Sequence, residues 1–276
     1  MDHLEQLIAL AIAEDSGLGD VTTQSILQAP FKGKGIIIAK EPMVIAGLDV
    51  VKKVFAIMDP DCTIESTYNN GDNAETGDII LKVEGDLTAL LKAERIALNF
   101  IQRLSGIATL TREYVNELSN DKVRLTDTRK TTPGMRLLEK EAVRAGGAHN
   151  HRMSLYDGIL IKDNHIAVAG GVKSAVESVK ARVSHIMKIE VEVSNMEEVR
   201  QAVSAGADVI MLDNMSVGRM AKAVEYINGR AIVEASGNVS LKTLKDIAST
   251  GVDVISCGAL THQARALDLS MRITPN

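Results

Sequence analysis

The sequence predicts an α/β protein in two parts: a mixed α/β domain over residues 1–108, which includes much of a long linking helix, and an open or incomplete (β/α) barrel over residues 109–276. Three observations carry that reading. From about residue 122, six short apolar runs alternate with helical segments at the spacing of parallel βαβ units. The earlier residues lack this alternation and instead break short strand candidates with NNGD and TGD turns. Finally, each of the six later strand candidates runs out into charged or small polar residues, the pattern of a barrel whose strand ends carry chemistry.

The elements follow in order. Residues 2–14 have helical spacing, with Leu4, Leu7, Ile8 and Ile12 on one face. A turn-rich stretch, GLGDVTT, occupies residues 17–23, and strand candidates lie at 35–40, 62–68 and 79–83. A helix is predicted over 87–118, with Leu87, Leu90, Leu91, Ala97, Leu98, Ile101 and Leu104 on its buried side. Thr88, Lys92, Arg95, Asn99 and Arg103 form its other stripe. The six later strands are placed at 123–127, 158–162, 187–193, 209–213, 231–235 and 252–257. Helices are expected to start near Pro133, Val172, Met196, Val217, Leu241 and His262. A doubly wound open sheet is the alternative. Neither GxGxxG nor GxxxxGK[ST] occurs, which argues against a dinucleotide or P-loop enzyme.

Composition narrows the class further. A net charge of −5 over 276 residues is wrong for a general nucleic-acid binder. Cys62 and Cys257 are far apart and outside any CxxC motif, so neither metal nor redox chemistry is expected of them. Two free thiols suit a cytoplasmic protein. The opening residues Asp2, His3 and Glu5 are unlike a signal peptide, and no apolar run reaches membrane-spanning length.

Cations gather at the strand exits. The first strand ends in Asp127-Thr128-Arg129-Lys130 and the second in Lys162-Asp163-Asn164-His165. The third carries Glu190 and Glu192, the fourth ends in Asp213-Asn214, the fifth in Glu234-Ala235-Ser236-Gly237-Asn238, and the sixth in Ser256-Cys257-Gly258. Helix capping explains an Asp or Asn at such a place, but not Arg129, Lys130 or Lys162, whose charge opposes the helix dipole. With His151 and Arg152 they suit a polyanionic ligand. Arg136, Lys140 and Arg144, beside Glu139 and Glu141, read as a solvated charged helix. A divalent ion on His149, His151, Asp163 and His165 is opposed by the surrounding cations. Glu192 and Asp213 suit ribose hydroxyls or a magnesium ion arriving with pyrophosphate; the alternative is ion pairing with Lys188 or Lys162. The loops ASGN and CGALTH read as a phosphate site or as plain turns.

Beyond these residues the chain resembles a known family. DTRKTTPGMRLLEKEAVRAGGAHNHR and DGILIKDNHI look like the core of quinolinate phosphoribosyltransferase. EDSGLGDVTT, ERIALNFIQRLSGIAT, KIEVEVSN, GADVIMLDN, VEASGN and DVISCGALTH extend the similarity over nearly the whole chain. The resemblance implies an N-terminal α/β sandwich joined to an incomplete α/β barrel. It implies transfer of phosphoribose from phosphoribosyl pyrophosphate (PRPP) to quinolinate with loss of CO2, with Mg2+ accompanying PRPP and no organic cofactor. Arg95, Arg129, His151, Arg152 and Lys162 would line the quinolinate pocket. Lys130, Glu192 and Asp213 would contact PRPP or its magnesium. Ser236, Gly237, Gly258 and His262 would lie near the 5′-phosphate. Lys130, Lys162, Glu192 and Asp213 would be the catalytic set. Arg95 would come from a partner subunit, so a homodimer with shared sites is implied. A related enzyme acting on nicotinate or another pyridine acid, such as a paralogue associated with molybdenum uptake, is the near alternative. A carrier domain presenting Lys40, suggested by the turn pattern NNGDNAETGDIILKVEGD, is the distant one.

Overall fold

The computed structural model describes residues 3–27 and 29–276, so Asp2, the first residue of the first predicted helix, lies outside the described residues. The chain opens with α1 (His3–Ser16), α2 (Val21–Ile26), β1 (Lys32–Ala39), β2 (Met43–Val44), α3 (Leu48–Met58), β3 (Thr63–Glu65), β4 (Asn73–Ala74) and β5 (Ile79–Asp86). The long helix α4 follows as Leu87–Leu118, the bounds predicted from sequence. After β6 (Arg124–Thr126) and α5 (Arg136–Ala145) come β7 (Ile159–Ile161), α6 (Asp163–Ala169) and α7 (Val172–Lys180). The remainder is β8 (Ile189–Val193), α8 (Met196–Ala205), β9 (Val209–Asp213), α9 (Val217–Ile227), β10 (Ile232–Ser236), α10 (Leu244–Ala248), β11 (Val254–Ser256), α11 (Ala259–His262) and β12 (Leu269–Pro275).

Two compact units result, and they do not follow a single cut after residue 108. The first takes the chain up to Arg112, then Thr132–Gly147 and Ala264–Asn276; the second takes Glu113–Thr131 and Ala148–Gln263. In the first, an antiparallel sheet runs in the order β12-β1-β5-β3. Its strands alternate buried and exposed residues, as one-sided sheets do: β1 buries Gly33, Gly35 and Ile37, and β5 buries Leu81 and Val83. The helix α4 buries Leu90, Ala93, Ala97, Ile101, Leu104 and Ala108, spaced three and four apart, each no more than 1% exposed. Gly106 sits where the backbone of residue 265 passes; a Cβ there would lie 1.9 Å from Arg265 O.

The second unit is a six-stranded parallel sheet in the order β6-β11-β10-β9-β8-β7. Apart from the end strand β6, the order is sequential, which is a barrel's order and not a doubly wound one. The seam lies between β6 and β7, and the chain between those strands is the excursion that carries α5 into the first unit. Short loops are capped as the sequence suggests. Asn195 accepts from Glu197 N and Glu198 N at the start of α8, and Gly206 ends that helix at φ 69°.

Several expectations are corrected. Glu139 and Lys140 are fully buried with Leu138, Ala142 and Val143, so only one face of α5 is solvated, the face that carries the Arg144–Glu141 pair. Leu91 is 37% exposed and does not belong to the buried side of α4. Arg103, placed on the polar stripe, is partly buried against Glu139. The expected strand exit at Asp163-Asn164-His165 opens α6, with His165 Nδ1 accepting from Lys162 N at 3.0 Å. The helix expected to start near His262 ends there instead.

Candidate active site

A cavity of ≈ 1000 Å³ opens within the second unit at the C-terminal ends of its strands. The strand β6 delivers Thr128, Arg129 and Lys130 to it, and the turn before β7 delivers His151 and Arg152. Lys162 follows β7, Glu192 lies on β8, Asp213 ends β9, and Ser236 and Gly237 leave β10. Gly258 and His262 bracket α11. Thus eleven of the twelve sequence-predicted binding residues line one cavity, and Arg95 alone does not; it is exposed on α4.

The cationic wall holds donors without partners. Arg129 Nε and Arg152 Nε are buried and donate to no protein acceptor, although Arg152 Nη1 donates to Gly158 O at 2.7 Å. Burial pulls the Arg152 guanidinium below its ordinary value, the neighbouring charge of Arg129 adds to this, and Glu190 opposes it. Two half-buried guanidinium groups whose Nε donors are buried and unmet form a site for an anion, since an unmet buried donor costs about 1–3 kcal/mol.

The opposite side carries carboxylates. Lys162 Nζ donates to Glu192 Oε1 at 2.9 Å, so the pairing weighed against a ligand role for Glu192 is present in the ligand-free chain. Asp213 Oδ2 accepts from Asn214 Nδ2 at 2.9 Å, and Asn214 Oδ1 accepts from Asn238 Nδ2 at 3.0 Å. Gly237, at φ +88°, closes against this chain: a Cβ would meet Asn214 Oδ1 at 2.2 Å. Only glycine meets both demands.

Beneath the cavity lies a group that sequence reading misplaced. Glu190 and Glu234 are 7% and 3% exposed and point into the barrel interior, not out of strand ends. His151 Nε2 lies 3.1 Å from Glu190 Oε2 and 3.6 Å from Glu234 Oε1. His151 Nδ1 accepts from Arg152 N at 2.8 Å, which places the ring proton on Nε2, directed at Glu190. Burial, and next the charge of Glu190, push the Glu234 carboxyl up to about 7, against the pull of His151. Among the described residues, His151, Glu190 and Glu234 form the one group of three side chains able to share a metal ion; His149, Asp163 and His165 do not join it. Asp127, fully buried, holds the turn before β7 by accepting from His151 N at 2.9 Å and Asn150 Nδ2 at 2.6 Å.

An incomplete parallel barrel with guanidinium, ammonium and carboxylate groups converging on one cavity defines an enzyme class that handles small polyanions. Comparison with known proteins specifies it. Residues 20–105 match the family described as quinolinate phosphoribosyl transferase, N-terminal domain, and residues 107–272 its C-terminal domain. A probable carboxylating nicotinate-nucleotide pyrophosphorylase of Bacillus subtilis is 43% identical over 99% of this chain and 95% of its own length. A decarboxylating quinolinate phosphoribosyltransferase of Nicotiana tabacum is 42% identical over 98% of this chain and 82% of its own. The crystal structure of NadC from Streptococcus pyogenes superposes with a TM-score of 0.95 at 40% identity, covering 99% of this chain and 97% of that one. The chain belongs to the quinolinate phosphoribosyltransferase family. Likeness to human nicotinic acid phosphoribosyltransferase, at 12% identity and a TM-score of 0.62, is a likeness of fold. Nothing in the structure favours a carrier role for Lys40. Among the described residues no helix is long and apolar enough to cross a membrane.

Proposed function

We propose that the chain transfers phosphoribose from PRPP to quinolinate and releases pyrophosphate and CO2, giving nicotinate mononucleotide. The observation that carries this reading is the pair of buried, partnerless donors Arg129 Nε and Arg152 Nε in a cavity that also holds Lys162. Two carboxylates on one small ring demand such a set, and a single carboxylate does not. Arg129, Arg152 and Lys162 hold the diacid. His151 has both ring nitrogens engaged by the protein and offers the ring's edge as a wall of the pocket. Lys130, Ser236, Gly237, Gly258 and His262 form the phosphate side.

In the reaction the pyridine nitrogen attacks the anomeric carbon while the bond to pyrophosphate breaks. Positive charge grows on the ribose, and Glu192 and Asp213 stabilise it. As substrate arrives, its carboxylate replaces Glu192 as the partner of Lys162, which frees Glu192 for the ribose. The alkylated nitrogen then accepts the electron pair left as the adjacent carboxylate departs as CO2, and a proton takes its place on carbon. Magnesium would arrive with PRPP and supply charge neutralisation of the pyrophosphate; Glu192 and Asp213, hard oxygen donors on the cavity wall, would hold it. No organic cofactor is required. Arg95, exposed and outside the cavity, completes the site of a second copy, so the working form is a homodimer.

The test is an assay with quinolinate, PRPP and Mg2+ that follows pyrophosphate and nicotinate mononucleotide together. Equal release of both supports the reading. Turnover of nicotinate in place of quinolinate would assign the related transferase activity instead.

A further inference from the structure

We propose that Arg103 and Glu139 are positioning residues for the phosphate side of the cavity, an inference that rests on the assignment of Lys130, Gly258 and His262 to PRPP. Neither side chain lines the cavity. Glu139 is fully buried and accepts four hydrogen bonds: from Arg103 Nε at 3.2 Å, Arg103 Nη2 at 3.0 Å, Thr132 N at 3.1 Å and Thr132 Oγ1 at 2.8 Å. Arg103 uses its remaining arm, Nη1, to donate to Ala264 O at 2.5 Å. One ion pair therefore fixes two backbone points far apart in sequence. Thr132 stands two residues after Lys130, and Ala264 two residues after His262.

The segments that end at those two points are also joined to each other. Thr261 Oγ1 lies 2.7 Å from Lys130 O. A Cβ on Gly258 would lie 2.9 Å from Lys130 Cδ and 3.3 Å from His262 Nε2. Lys130, Gly258 and His262 thus form one packet, and both chain ends leaving it are tied to the same buried pair. Two of the three diacid cations are held differently, Arg152 by Gly158 O and Lys162 by Glu192, while Arg129 shares the segment of Lys130. Charge-assisted bonds to a buried carboxylate are strong and fixed in direction. Loosening this pair should therefore disturb the phosphate packet, tied at both chain ends, more than the diacid pocket, two of whose three cations are held elsewhere.

The test is a split of the two Michaelis constants. Arg103→Lys keeps the charge but cannot reach both Glu139 and Ala264; Thr132→Val removes one donor to Glu139 and changes no charge. Each should raise the KM for PRPP at least about tenfold for Arg103→Lys and several-fold for Thr132→Val, with the KM for quinolinate changed less than about threefold. The double variant Arg103→Lys with Glu139→Gln should lose little more than Arg103→Lys alone, because both act through one link. If Arg103→Lys does not fold, Thr132→Val carries the test. Equal shifts in both constants, or no shift in a folded variant, would overturn the proposal. Gly258→Ala is measured alongside. If it raises the KM for PRPP and the clamp variants do not, the clamp falls while the phosphate cradle stands. If it leaves that constant unchanged, the cradle reading falls and takes the clamp with it.

Discussion

Glu234→Gln should make the protein more stable at pH 8. Glu234 is held up to about 7 in the folded chain by burial and by Glu190, against an ordinary value of 4.5. Between those two values the folded chain binds a proton that the unfolded chain has released. Stability from this group is therefore full below pH 4.5, falls as pH rises through the window, and is lost above about 7. At about 1.4 kcal/mol for each pH unit of the window, ionising Glu234 costs the folded state about 3 kcal/mol at pH 8. Glutamine keeps the shape and the donor of the protonated acid and carries no charge. The variant should thus exceed the wild type by about 2–3 kcal/mol at pH 8 and match it near pH 4.5. Urea unfolding of both proteins at pH 4.5, 6 and 8 reads the difference directly. A gap that stays constant with pH, or a variant less stable at pH 8, would show that His151 holds Glu234 ionised against burial and Glu190, and that the reasoning is wrong.

Other outcomes follow from the site. Arg152→Ala should weaken quinolinate binding by about 1.5–3 kcal/mol, the value of one charge-assisted bond to a buried carboxylate, as read by calorimetry; Lys162→Ala should do the same, and unchanged affinity with unchanged turnover would remove it from the site. Gly237→Ala places a methyl group 2.2 Å from Asn214 Oδ1 at a positive φ, so thermal melting should show a loss of about 1–3 kcal/mol and kinetics a weakened use of PRPP. If the proposed homodimer shares its sites, Arg95→Ala and Lys162→Ala should each be nearly inactive, and subunit exchange between them should restore up to about a quarter of wild-type activity, because half of such dimers would be mixed and each mixed dimer would have one intact site. No recovery after demonstrated exchange would place Arg95 within its own chain's chemistry or outside it altogether.

The parts of the molecule that were legible in sequence have strong local signals. A thirty-two-residue periodic stripe marks α4, and β9 is bounded by Gly206 and Asn214. The parts that were not legible depend on distant partners. Glu139 looks like a surface residue among Arg136, Lys140 and Arg144, because the arginine that meets it lies thirty-six positions away. The strand β12 pairs with β1 across most of the chain, and its short LSMRITP run carries little pattern of its own. Glu190 and Glu192 share one face of β8, so alternation treats them alike. Depth separates them: two residues along a strand is about 7 Å, enough to put one in the barrel interior and the other at the cavity wall. Arg129, Lys130, Arg152 and Lys162 were readable because cations at strand exits are costly without a ligand; Glu192 and Asp213 stood out as strand-end carboxylates, and the glycine-containing loops of Ser236, Gly237, Gly258 and His262 took their roles from the family resemblance. Arg95 was readable only through family resemblance, since on α4 it is one polar residue on a polar stripe.

The pairing of β12 with β1 sets the order in which this protein can be completed during synthesis. In the sheet β12-β1-β5-β3, β1 is an inner strand only once residues 269–275 have left the ribosome. Until then Ile36, Ile37 and Ile38 lie on an open edge, and the nascent chain must carry that edge while the whole barrel unit is made. A stop codon a few residues early would therefore harm the first unit, most of which comes from the beginning of the message, more than the barrel, whose last residue is Gln263.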